Sequence, residues 1–579
     1  MAHEHTALAM SEAAESSART PREEMDRALS AVAAKKQEFA RLPLREKIAL
    51  LQACLPALKA SVPAWIREAC RAKGIEESSP TAGEEWLAGP YLVMRNLRLL
   101  VESLEAIARA GSPPFGTGVH TRPDGRVVVD VFPANLLDKL LYSGFTGHVV
   151  LQEGISEARG RELQASFYKR KQPAGGLTLT LGAGNVSSIG PMDALYKLFV
   201  DGQVGVLKMN PVNEYLGPVF EQAFAPLIAK DYLRVLYGGA EVGAYLCQHP
   251  LVDDIHITGS DRTHDLIVWG PPGPERDRRK AANDPLLKKE ISSELGNVSP
   301  VMVVPGRFSP KELAFTARNV ASQVTNNASF NCNAAKMLVL SRGWAQKDEL
   351  VRLVKENLAK VAPRKAYYPG AQDRYRTLTQ GKEAETIGAA SEGQLAWTVI
   401  TGLDAKANEP QFTTEPFCAV LSVVELEPAE PVAFLQAATA FANDRLWGTL
   451  NAAILVEPRT ERRPEVGTAL DQAVMALRYG TVAINHWPAL GYGFVTTPWG
   501  GHPSATLANI QSGRGWVHNT FMLEGIEKGV VRGPLTVFPK PPWFFDNART
   551  PQIAAKLIDL EMRPSLFRLP AVIAQALKG

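Results

Sequence analysis

Four short apolar segments decide the fold: LTLTLGAGN at 177–185, VGVLKMN at 204–210, LRVLYG at 233–238 and DDIHITGS at 253–260. Each has the composition of a β-strand that ends in turn residues. Helical stretches begin at about Met192, span about 214–229 and occupy 241–247, so helices lie between the strands. Strands that alternate with helices in this way are typically parallel and joined by crossover helices. The pattern predicts a doubly wound sheet with a ligand site at the carboxyl ends of its strands.

The chain extends this α/β pattern on both sides. Near the N-terminus two amphipathic helices are predicted from apolar stripes: Met25, Leu29, Val32 and Phe39, then Ile48, Leu51, Leu55 and Leu58. Residues 120–152 mix alternating apolar segments with turns, as hairpin strands do. After the strand KEISSEL (289–295), helices and strands alternate again to about residue 500. A proline-rich stretch then leads to a last helical segment near 551–578.

These boundaries divide the chain into four parts. We expect a disordered N-terminus at 1–22, a first domain at 23–295 that contains a hairpin near 121–152, a second domain at 296–505 and a C-terminal extension at 506–579. At 579 residues the chain exceeds one ordinary core, so two domains with appendages suit its length.

The composition argues against several classes of partner. With 45% hydrophobic and 21% charged residues the chain is typical of soluble globular proteins, and 63 basic against 60 acidic residues leave no charge excess for nucleic acid or membranes. We find no apolar run long enough to span a bilayer, and no signal-like N-terminus. Five scattered cysteines without a CxxC pair argue against a disulfide framework or a zinc site. We therefore expect a cytoplasmic protein whose partners are small molecules.

Cys332 lies among small polar residues in NNASFNCNAAKMLVL (326–340). A thiolate is a strong nucleophile whose pKa falls near helix N-termini or positive groups, whereas a packing cysteine keeps apolar company, as Cys54 does in LLQACLPAL. A single cysteine is by itself more often structural. Two other residues change that interpretation, because Glu294 stands beside a Leu-Gly step in SELGNVSPV and Asn185 ends a strand where a ligand would be met.

Together these segments resemble the aldehyde dehydrogenase superfamily. ELGNVSP (294–300) is similar to its glutamate motif E-L-G-G-K-S-P, and FNCNAAK (330–336) to its cysteine motif G-Q-x-C. VLKMNP resembles the cofactor-lysine motif K-P-S/A-E, IHITGS the F-T-G-S turn, EPFCAVL the E-x-F-G-P motif and TPWGGH the P-F-G-G motif. The order agrees, and Asn185 stands 23 residues before Lys208, the interval that the family keeps. The resemblance covers roughly residues 23–505.

The resemblance implies a fold and an assembly. The expected fold is α/β and aldehyde dehydrogenase-like, with two doubly wound α/β domains, one cofactor-binding and one catalytic, plus a small oligomerisation hairpin. Family members usually associate through a hairpin that extends a neighbour's sheet, so a homodimer or homotetramer is expected. The hairpin segment near 121–152 and the tail after residue 501 are the candidates for this contact.

The resemblance also implies a covalent mechanism. The Cys332 thiolate would attack an aldehyde, and the side-chain amide of Asn185 with the backbone N–H of Cys332 would stabilise the oxyanion. Hydride transfer leaves a thioester, and Glu294 would act as the general base that activates water to hydrolyse it. The expected product is a carboxylic acid.

A nicotinamide cofactor, NAD or NADP, is implied together with five residues that hold it. Lys208 would hydrogen-bond the adenosine ribose, and Gly259 and Ser260 begin a helix whose N-terminal amides face the pyrophosphate. Glu415 would hold the nicotinamide ribose, and Phe417 would shape the hydride pocket.

The chain departs from the family pattern at several positions. Pro211 replaces the carboxylate often found three residues after the cofactor lysine, so strict NAD preference is not expected. His264 replaces a glycine of the pyrophosphate turn, and we expect it on the helix surface. The reactive loop is expected to be reshaped by four replacements: Ser329 and Phe330 in the cysteine motif, and Asn297 and Val298 in the glutamate motif.

Two other features bear on ligands. The basic residues Arg276, Arg278, Arg279 and Lys280 invite a phosphate or coenzyme A interpretation, but neighbouring acidic residues favour a solvated surface. His486 and Trp487 fall where the family's substrate loop lies, so they are pocket candidates, and no residue at a credible spacing makes His486 a metal ligand. Aromatic residues there, Trp487, Tyr492 and Phe494, point to an apolar aldehyde.

Two alternatives stay open at this point. A coenzyme A-linked acylating dehydrogenase or acyl-CoA reductase has the same fold, but Glu294 argues against it because acyl transfer to a thiol needs no water-activating base. A non-catalytic scaffold that kept the fold is the alternative of another class, motivated by the departures from the motifs.

Overall fold

The computed structural model describes residues 18–579, and the fold begins earlier than the sequence indicates. Thr20 donates its backbone N–H to the Tyr237 carbonyl at 3.1 Å, and its hydroxyl accepts the Tyr237 N–H at 2.9 Å. The expectation of disorder at 1–22 is therefore wrong for residues 18–22, because this segment is hydrogen-bonded to the end of a strand. Residues 1–17 lie outside the described residues.

Two long helices follow, α1 (Arg22–Ala40) and α2 (Leu44–Lys73). The first predicted apolar stripe is confirmed, since all of its members on α1 are buried: Met25, Leu29, Val32 and Phe39. Within residues 18–579, α2 is the one helix long and apolar enough, by length and composition, to cross a membrane. Its residues Leu51, Leu58 and Trp65 lie in the hydrophobic core. A buried core helix can have the same length and apolar composition as a membrane-spanning helix.

The next region forms a helical arm and three antiparallel strands. Its elements are α3 (Gly83–Trp86), α4 (Leu92–Ala110), β1 (Gly118–Thr121), β2 (Val127–Phe132), α5 (Leu136–Leu141), β3 (Thr146–Leu151) and α6 (Glu157–Leu163). A one-turn π-helix at Leu87–Tyr91 joins α3 to α4.

A five-stranded parallel sheet contains the four apolar segments 177–185, 204–210, 233–238 and 253–260. Its strands are β4 (Leu177–Leu181), β5 (Val204–Lys208), β6 (Leu233–Leu236), β7 (Asp254–Gly259) and β8 (Glu290–Leu295), in the order β6-β5-β4-β7-β8. The register pairs Leu181 with Lys208 and Gly259 with Leu295, so the carboxyl ends of these strands share one edge. The predicted doubly wound sheet is confirmed.

Crossover helices cover this sheet. They are α7 (Ile189–Phe199), α8 (Gly217–Ala223), α9 (Ala225–Ile228), α10 (Ala240–Gln248), α11 (Asp261–Trp269) and α12 (Pro274–Ala282). The expected position of His264 on the surface is wrong: it is 0% exposed. His264 and the buried Val268 are four residues apart on α11 and share the face that packs inward.

An eleven-stranded sheet forms the second half of the protein. Its order is β1-β2-β3-β20-β17-β16-β9-β10-β15-β14-β12, and the strands from β20 to β14 are parallel. Its strands not yet given are β9 (Pro300–Val303), β10 (Met337–Ser341), β12 (Glu383–Ile387), β14 (Trp397–Leu403), β15 (Val420–Leu426), β16 (Asn451–Leu455), β17 (Thr481–Ile484) and β20 (Ile526–Arg532). Two separate two-stranded sheets are formed by β11 (Arg364–Lys365) with β13 (Gln394–Leu395), and by β18 (Pro498–Trp499) with β19 (Val517–His518).

The helices of this half connect its parallel strands and form the C-terminus. They are α13 (Pro310–Thr325), α14 (Lys347–Leu358), α15 (Ala371–Thr379), α16 (Pro410–Thr413), α17 (Pro431–Arg445), α18 (Pro458–Glu461), α19 (Pro464–Ala476), α20 (Ala489–Phe494), α21 (Thr550–Met562) and α22 (Leu569–Ala576). Ser309 and Glu312 form a capping box at the start of α13.

The hairpin strands extend the sheet of their own chain. β3 pairs antiparallel with β20, and β20 pairs parallel with β17. Lys528 fixes β20 from within, since its buried ammonium donates to the carbonyls of Val474, Met475 and Leu477 near the end of α19. The expected homodimer or homotetramer stays a prediction that sedimentation of the purified protein would test.

The C-terminal extension packs against α4 through buried ion pairs. On α4, Arg95 donates to both oxygens of Asp138 at 2.9 and 3.0 Å and to Glu561 of α21 at 2.8 Å. Arg98 reaches the other oxygen of Glu561 at 2.5 Å. These charges are buried and satisfy one another, so α21 is an integral part of the fold.

Candidate active site

The predicted site residues meet where the two sheets face each other. Asn185 and Glu294 follow or end β4 and β8 of the five-stranded sheet. Cys332 and Glu415 precede β10 and β15, which are neighbouring strands of the eleven-stranded sheet. The carboxyl edge of one sheet therefore faces the amino ends of strands in the other.

The loop that carries Cys332 has an unusual backbone. Asn327, Ala328 and Ser329 are consecutive and have φ angles of 52°, 54° and 68°. The left-handed region costs a non-glycine residue roughly 1–3 kcal/mol where surroundings enforce it, although Asn tolerates it better than most. Such a loop needs firm support from its neighbours.

Hydrogen bonds to the Cys332 carbonyl supply part of this support. It accepts from Ser299 Oγ at 3.1 Å, Lys336 Nζ at 3.1 Å and Asn451 Nδ2 at 3.2 Å. Asn297 joins two of these donors, because its Oδ1 accepts from Ser299 at 2.8 Å and its Nδ2 donates to the Asn451 carbonyl at 2.9 Å. Asn297, which replaces the second glycine of the family motif, thus helps to hold the loop that carries Cys332.

Asn185 is anchored to the same loop. Its side-chain amide donates to the Phe330 carbonyl at 2.9 Å, two residues before Cys332. An amide nitrogen carries two hydrogens, so one of them is left for a ligand. The backbone carbonyl of Asn185 accepts from Lys73 at 3.1 Å, Asn327 at 3.1 Å and Tyr367 at 3.2 Å.

Lys73 is a site residue that sequence reasoning missed. At the end of α2 its ammonium pairs with Glu85 at 2.8 Å and donates to Asn327 Oδ1 at 2.9 Å, besides the Asn185 carbonyl. Both members of the ion pair are buried. No local signal announces this role, because the contacts to Asn185 and Asn327 span 112 and 254 residues. Lys73 clamps the two halves of the site together.

Glu294 is a buried carboxyl beside the reactive thiol. It is 2% exposed at the end of β8. Burial raises the pKa of Glu294 to about 8, and the nearby Asp193 raises it further, while Cys332 and Trp499 oppose the shift through hydrogen bonding. A carboxyl with a pKa close to neutrality suits a general base.

Cys332 differs from the other cysteines in exposure. It is partly exposed, whereas Cys54, Cys70, Cys247 and Cys418 are buried. Desolvation, and then the negative charge of Glu294, raise the pKa of the Cys332 thiol, and the Lys336 ammonium only partly opposes them. The polar neighbourhood therefore does not by itself ionise the thiol, and Glu294 is the group beside it that can accept its proton.

The buried Lys336 and the partly exposed Glu415 form an ion pair next to this loop. Lys336 also donates to the Asn297 carbonyl at 2.9 Å. Glu415 lies directly over Gly296, since a Cβ at that position would overlap its carboxylate. The role of Lys336 was missed although it stands four residues after Cys332, because a buried lysine is uncommon and the motif did not single it out.

Phe417 belongs to an aromatic wall beside the loop. Its backbone has a φ of 41°, and its ring lies 4.9 Å from Tyr368 and 5.9 Å from Phe330 between centroids. Arg374 donates to the Pro416 carbonyl at 3.1 Å and fixes this turn. Phe330, which replaces a residue of the family motif, thus packs in an aromatic cluster with Tyr368 and Phe417.

The predicted cofactor residues line the carboxyl edge of the five-stranded sheet. Lys208 is 8% exposed at the end of β5, and burial lowers the pKa of its ammonium to about 8. Glu214 is 7% exposed and its charge opposes that shift, so a carboxylate does lie close to the lysine. Sequence reasoning missed Glu214 because it considered position 211, although Glu214 follows in the same segment, KMNPVNEY.

The start of α11 leaves room for a phosphate. Ser260 caps the nine-residue helix by accepting the Thr263 N–H at 3.2 Å, and Gly259 and Ser260 are both exposed. A Cβ at Gly259 would meet only the Ile257 side chain, at 3.7 Å. Helix N-termini attract anions, and here the Asp261 carboxyl is hydrogen-bonded to the first backbone N–H groups. A pyrophosphate would take the place of that carboxyl, so this end of the helix, together with the buried Lys208, fits a dinucleotide.

The two pocket candidates on the loop before α20 have different positions. Trp487 donates its indole N–H to the Asn333 carbonyl at 2.6 Å, directly after Cys332. His486 is buried, and its Nε2 lies 2.7 Å from the Pro534 carbonyl with its ring 4.6 Å from Phe145. Burial lowers the pKa of His486 to about 4. Trp487 contacts the reactive loop, and His486 packs under the C-terminal extension.

The basic residues of α12 are each paired with a carboxylate of the protein. Arg276 and Lys280 pair with Asp265 at 3.0 and 2.5 Å. Arg278 and Arg279 pair with Glu275 at 2.8 and 2.9 Å. These pairs support the prediction of a solvated charged surface.

The fold and the site define an α/β protein in which a thiol and a buried carboxyl meet between two sheets. The sequence model of the aldehyde dehydrogenase family matches residues 150–520. The chain therefore belongs to the aldehyde dehydrogenase family, which supports an oxidoreductase that acts on aldehydes. A search of curated protein sequences gave no match.

Solved structures with the same fold include proteins named as dehydrogenases. NADP-dependent glyceraldehyde-3-phosphate dehydrogenase from Bacillus halodurans, complexed with NADP, is 16% identical, covers 90% of this chain and 95% of its own, and has a TM-score of 0.59. Aldehyde dehydrogenase C from Pseudomonas syringae, complexed with NAD⁺ and octanal, is 14% identical, with coverages of 90% and 91% and a TM-score of 0.59. Betaine aldehyde dehydrogenase from Staphylococcus aureus is 17% identical, with coverages of 90% and 91% and a TM-score of 0.58. At these identities the likeness shows the fold, and it confirms the predicted architecture.

Proposed function

We propose that the protein oxidises an aldehyde to a carboxylic acid with NAD or NADP, through a thioester on Cys332. The observation that carries this proposal is the meeting of three residues from separate motifs. The carboxyl of Glu294 lies beside the thiol, and the amide of Asn185 is hydrogen-bonded to the loop that presents it.

The first step is proton removal from the thiol. Glu294 takes the Cys332 proton, and the thiolate attacks the carbonyl carbon to form a thiohemiacetal. The remaining amide hydrogen of Asn185 and the backbone N–H of Cys332 donate to the oxyanion. Oxyanion donors of this kind contribute roughly 3–4 kcal/mol each to the stabilisation of the transition state.

The edge of the five-stranded sheet supports a nicotinamide cofactor. Lys208 would hold the adenosine ribose, the N-terminal amides of α11 the pyrophosphate, and Glu415 with Phe417 the nicotinamide end. A bound oxidised nicotinamide supplies the acceptor for the hydride that leaves the thiohemiacetal carbon, so that a thioester remains on Cys332.

Hydrolysis of the thioester returns the enzyme to its starting state. Glu294 takes a proton from water while the water oxygen attacks the acyl carbon, and collapse of the adduct releases the acid and the Cys332 thiolate. The thiolate then takes that proton from Glu294, which restores the thiol and the carboxylate. The same carboxyl thus serves as base twice, and between the two steps it must release the thiol proton. A pKa near 8 makes both transfers feasible close to neutral pH.

Glu214 supports NAD as the preferred form of the cofactor. A buried carboxylate next to Lys208 can accept hydrogen bonds from ribose hydroxyls and repels a 2′-phosphate. This revises the sequence-based interpretation, in which Pro211 left no acidic group at this position.

Water is proposed as the acyl acceptor. The buried carboxyl of Glu294 beside Cys332 supports water activation. The basic residues of α12 that suggested coenzyme A binding are paired with Asp265 and Glu275. The test is turnover of an aldehyde series, apolar aldehydes included, with NAD or NADP, with and without coenzyme A. Acid formed without the thiol supports the proposal, and turnover that requires coenzyme A contradicts it.

A catalytic role also distinguishes this proposal from a non-catalytic scaffold. Cys332 alone among the five cysteines is partly exposed, so an aldehyde or haloacetamide should label it first. Equal labelling of all five would contradict the enzyme proposal. The five free thiols also support a reducing compartment, and we propose the cytoplasm.

A further inference from the structure

One face of the five-stranded sheet carries a row of polar residues of which the mechanism uses Glu294 alone. Glu294 and Ser292 are two residues apart on β8 and therefore point to the same face. Across the ladder, Glu294 is paired with Thr258 and Ser292 with His256. These four side chains lie side by side in two neighbouring strands.

Asp193 from α7 covers this row and links its members. Its Oδ2 accepts from Thr258 Oγ1 at 2.8 Å and lies 3.3 Å from His256 Nε2. The other ring nitrogen of His256, Nδ1, lies 2.9 Å from Ser292 Oγ. The contacts therefore run from Thr258, which is paired with Glu294 in the ladder, to Ser292.

The two ends of the row differ in exposure. Glu294, Asp193 and His256 are buried, with Asp193 1% exposed, whereas Ser292 is partly exposed. Ser292 lies near the segment 512–515, which runs along the outer edge of β8 through hydrogen bonds to Ser293 and Leu295. The row therefore leads from the active site to the protein surface.

Two carboxylate oxygens in the row are unusual for a purely structural cluster. Glu294 Oε1 and Asp193 Oδ1 are buried and have no hydrogen-bond partner within residues 18–579. Unpartnered buried oxygens cost stability, so a cluster selected for stability alone would avoid them. Four titratable groups also face the two carboxyls from other elements: Cys332, Glu415, Tyr492 and His518.

Under the proposed function, on which this inference rests, Glu294 must discharge the proton that it took from the thiol before it can accept a proton from water. It is buried and cannot release that proton directly to solvent. We propose that Thr258, Asp193, His256 and Ser292 form a proton relay that carries it from Glu294 to the surface.

Each member of the relay accepts one proton and passes one on. Glu294 gives its proton to the Thr258 hydroxyl, which gives its own to Asp193 Oδ2, and the proton passes to His256 Nε2. The hydrogen on His256 Nδ1 moves to the Ser292 hydroxyl, whose proton goes to water. The net change is one proton moved from Glu294 to solvent, and His256 is left with its hydrogen on Nε2. Rotation of the His256 ring and of the two hydroxyls restores the starting arrangement before the next passage.

The test follows the decay of the thioester directly. Enzyme is mixed with a single equivalent of aldehyde and saturating NAD, quenched at intervals, and the acylated Cys332 is measured by intact-protein mass spectrometry. In Thr258→Val and His256→Gln, thioester formation should keep its wild-type rate, while decay slows about tenfold or more and its solvent deuterium isotope effect changes. Imidazole should restore decay in His256→Ala.

Thr178→Val is the matched control. Thr178 is buried on β4 of the same sheet, and its hydroxyl has no partner among the described residues, so the isosteric change should leave both rates at wild-type values. If His256→Gln does not fold, Ser292→Ala at the partly exposed end gives the same readout with less disturbance of the core.

Two results would overturn the relay. Decay in Thr258→Val and Ser292→Ala that matches Thr178→Val would show that the row carries no proton. An equal loss in formation and decay would show a structural role. A wild-type protein that forms no thioester would instead refute the proposed function, and the relay with it.

Discussion

The two sheets of this protein are built in different ways. The five-stranded sheet arises from one continuous segment, 177–295, and all its strands are parallel. The eleven-stranded sheet gathers strands from 118–151, 300–426 and 451–532. The first supplies the amide of Asn185 and the carboxyl of Glu294, and the second presents the thiol of Cys332. The proposed reaction therefore depends on how the five-stranded sheet, built from one segment, packs against the eleven-stranded sheet, built from distant segments.

Removal of the nucleophile from the eleven-stranded half should have the largest effect. In Cys332→Ala, aldehyde oxidation should fall by at least about 10⁴-fold, because no thioester can form. The measurement is NADH formation together with the mass of the acylated protein. Cys54→Ala is the control, since Cys54 is buried and burial raises the pKa of its thiol to about 12. Activity that persists in Cys332→Ala would place the chemistry elsewhere.

Removal of the base from the five-stranded half should stop the cycle at a later stage. In Glu294→Gln, thioester hydrolysis should slow by about 10²- to 10⁴-fold, and acylated enzyme should accumulate under alkaline conditions that ionise the thiol. In the wild type, hydrolysis should rise with pH through about 8 as Glu294 loses its proton, and this rise should vanish in the variant. Glu290→Gln, on an exposed residue of the same strand, is the control. A variant that keeps the rise would assign the titration to another group.

The same substitution should stabilise the fold at high pH. The pKa of Glu294 rises from an ordinary 4.5 to about 8 on folding, so the folded state holds the proton more tightly than the unfolded chain. Wild-type stability should therefore decrease from about pH 4.5 to about pH 8, and Glu294→Gln should be more stable at pH 9 by about 1–4 kcal/mol. Urea unfolding at pH 5 and pH 9 measures this, and a variant less stable at pH 9 would contradict it.

Loss of the clamp between the halves should have an intermediate effect. In Lys73→Met the buried Glu85 loses its counter-ion, and the Asn185 carbonyl and the left-handed loop lose a donor, so stability should fall by roughly 3–5 kcal/mol. We also expect kcat/KM to fall by about 10- to 100-fold, because the oxyanion amide and the thiol lose their alignment.

The control for this clamp lies on the same helix. Lys59 pairs with Asp559 at 2.7 Å, and both side chains are more than a third exposed, so Lys59→Met should cost less than about 1 kcal/mol. If urea unfolding and kcat/KM change equally in both variants, Lys73 has no special role between the sheets.

The smallest expected effect concerns the cofactor alone. In Glu214→Gln, the ratio of kcat/KM for NADP to that for NAD should rise by about 5- to 10-fold, because a carboxylate that repels the 2′-phosphate becomes neutral. Steady-state kinetics with both cofactors measure the ratio, and Glu221→Gln, at an exposed carboxyl of the adjacent α8, should leave it unchanged. An unchanged ratio in Glu214→Gln would show that this carboxylate does not face the ribose.

The sequence predicted the local parts of this structure well. The apolar stripe of α1 follows from the helical spacing of its apolar residues, and strands β4 to β8 follow from short apolar segments that alternate with helical ones. Both signals lie within short stretches of chain. The residues Asn185, Glu294 and Cys332 were identified because motifs are local as well. Their meeting could be expected from the resemblance, and the hydrogen bond from Asn185 to Phe330 agrees with it.

Non-local contacts could not be predicted in the same way. Lys73 supports Asn185 through a contact across 112 residues, and no pattern in α2 marks it. His264 was expected at the surface because histidine is a polar residue, but it lies on the same buried face of α11 as Val268. The pairing of β3 with β20 joins residues nearly 400 apart, and alternation within each strand does not specify its partner.

The position of β20 also determines when each half can be completed during synthesis. Every strand of the five-stranded sheet has been made once translation passes Leu295, so that half can close early. In the other half, β20 lies between the hairpin strands and β17, so both of these keep an unpaired edge until residues 526–532 leave the ribosome. Unpaired edges recruit other chains or chaperones. A nascent chain must therefore be protected at these edges until its own last strand fills the gap.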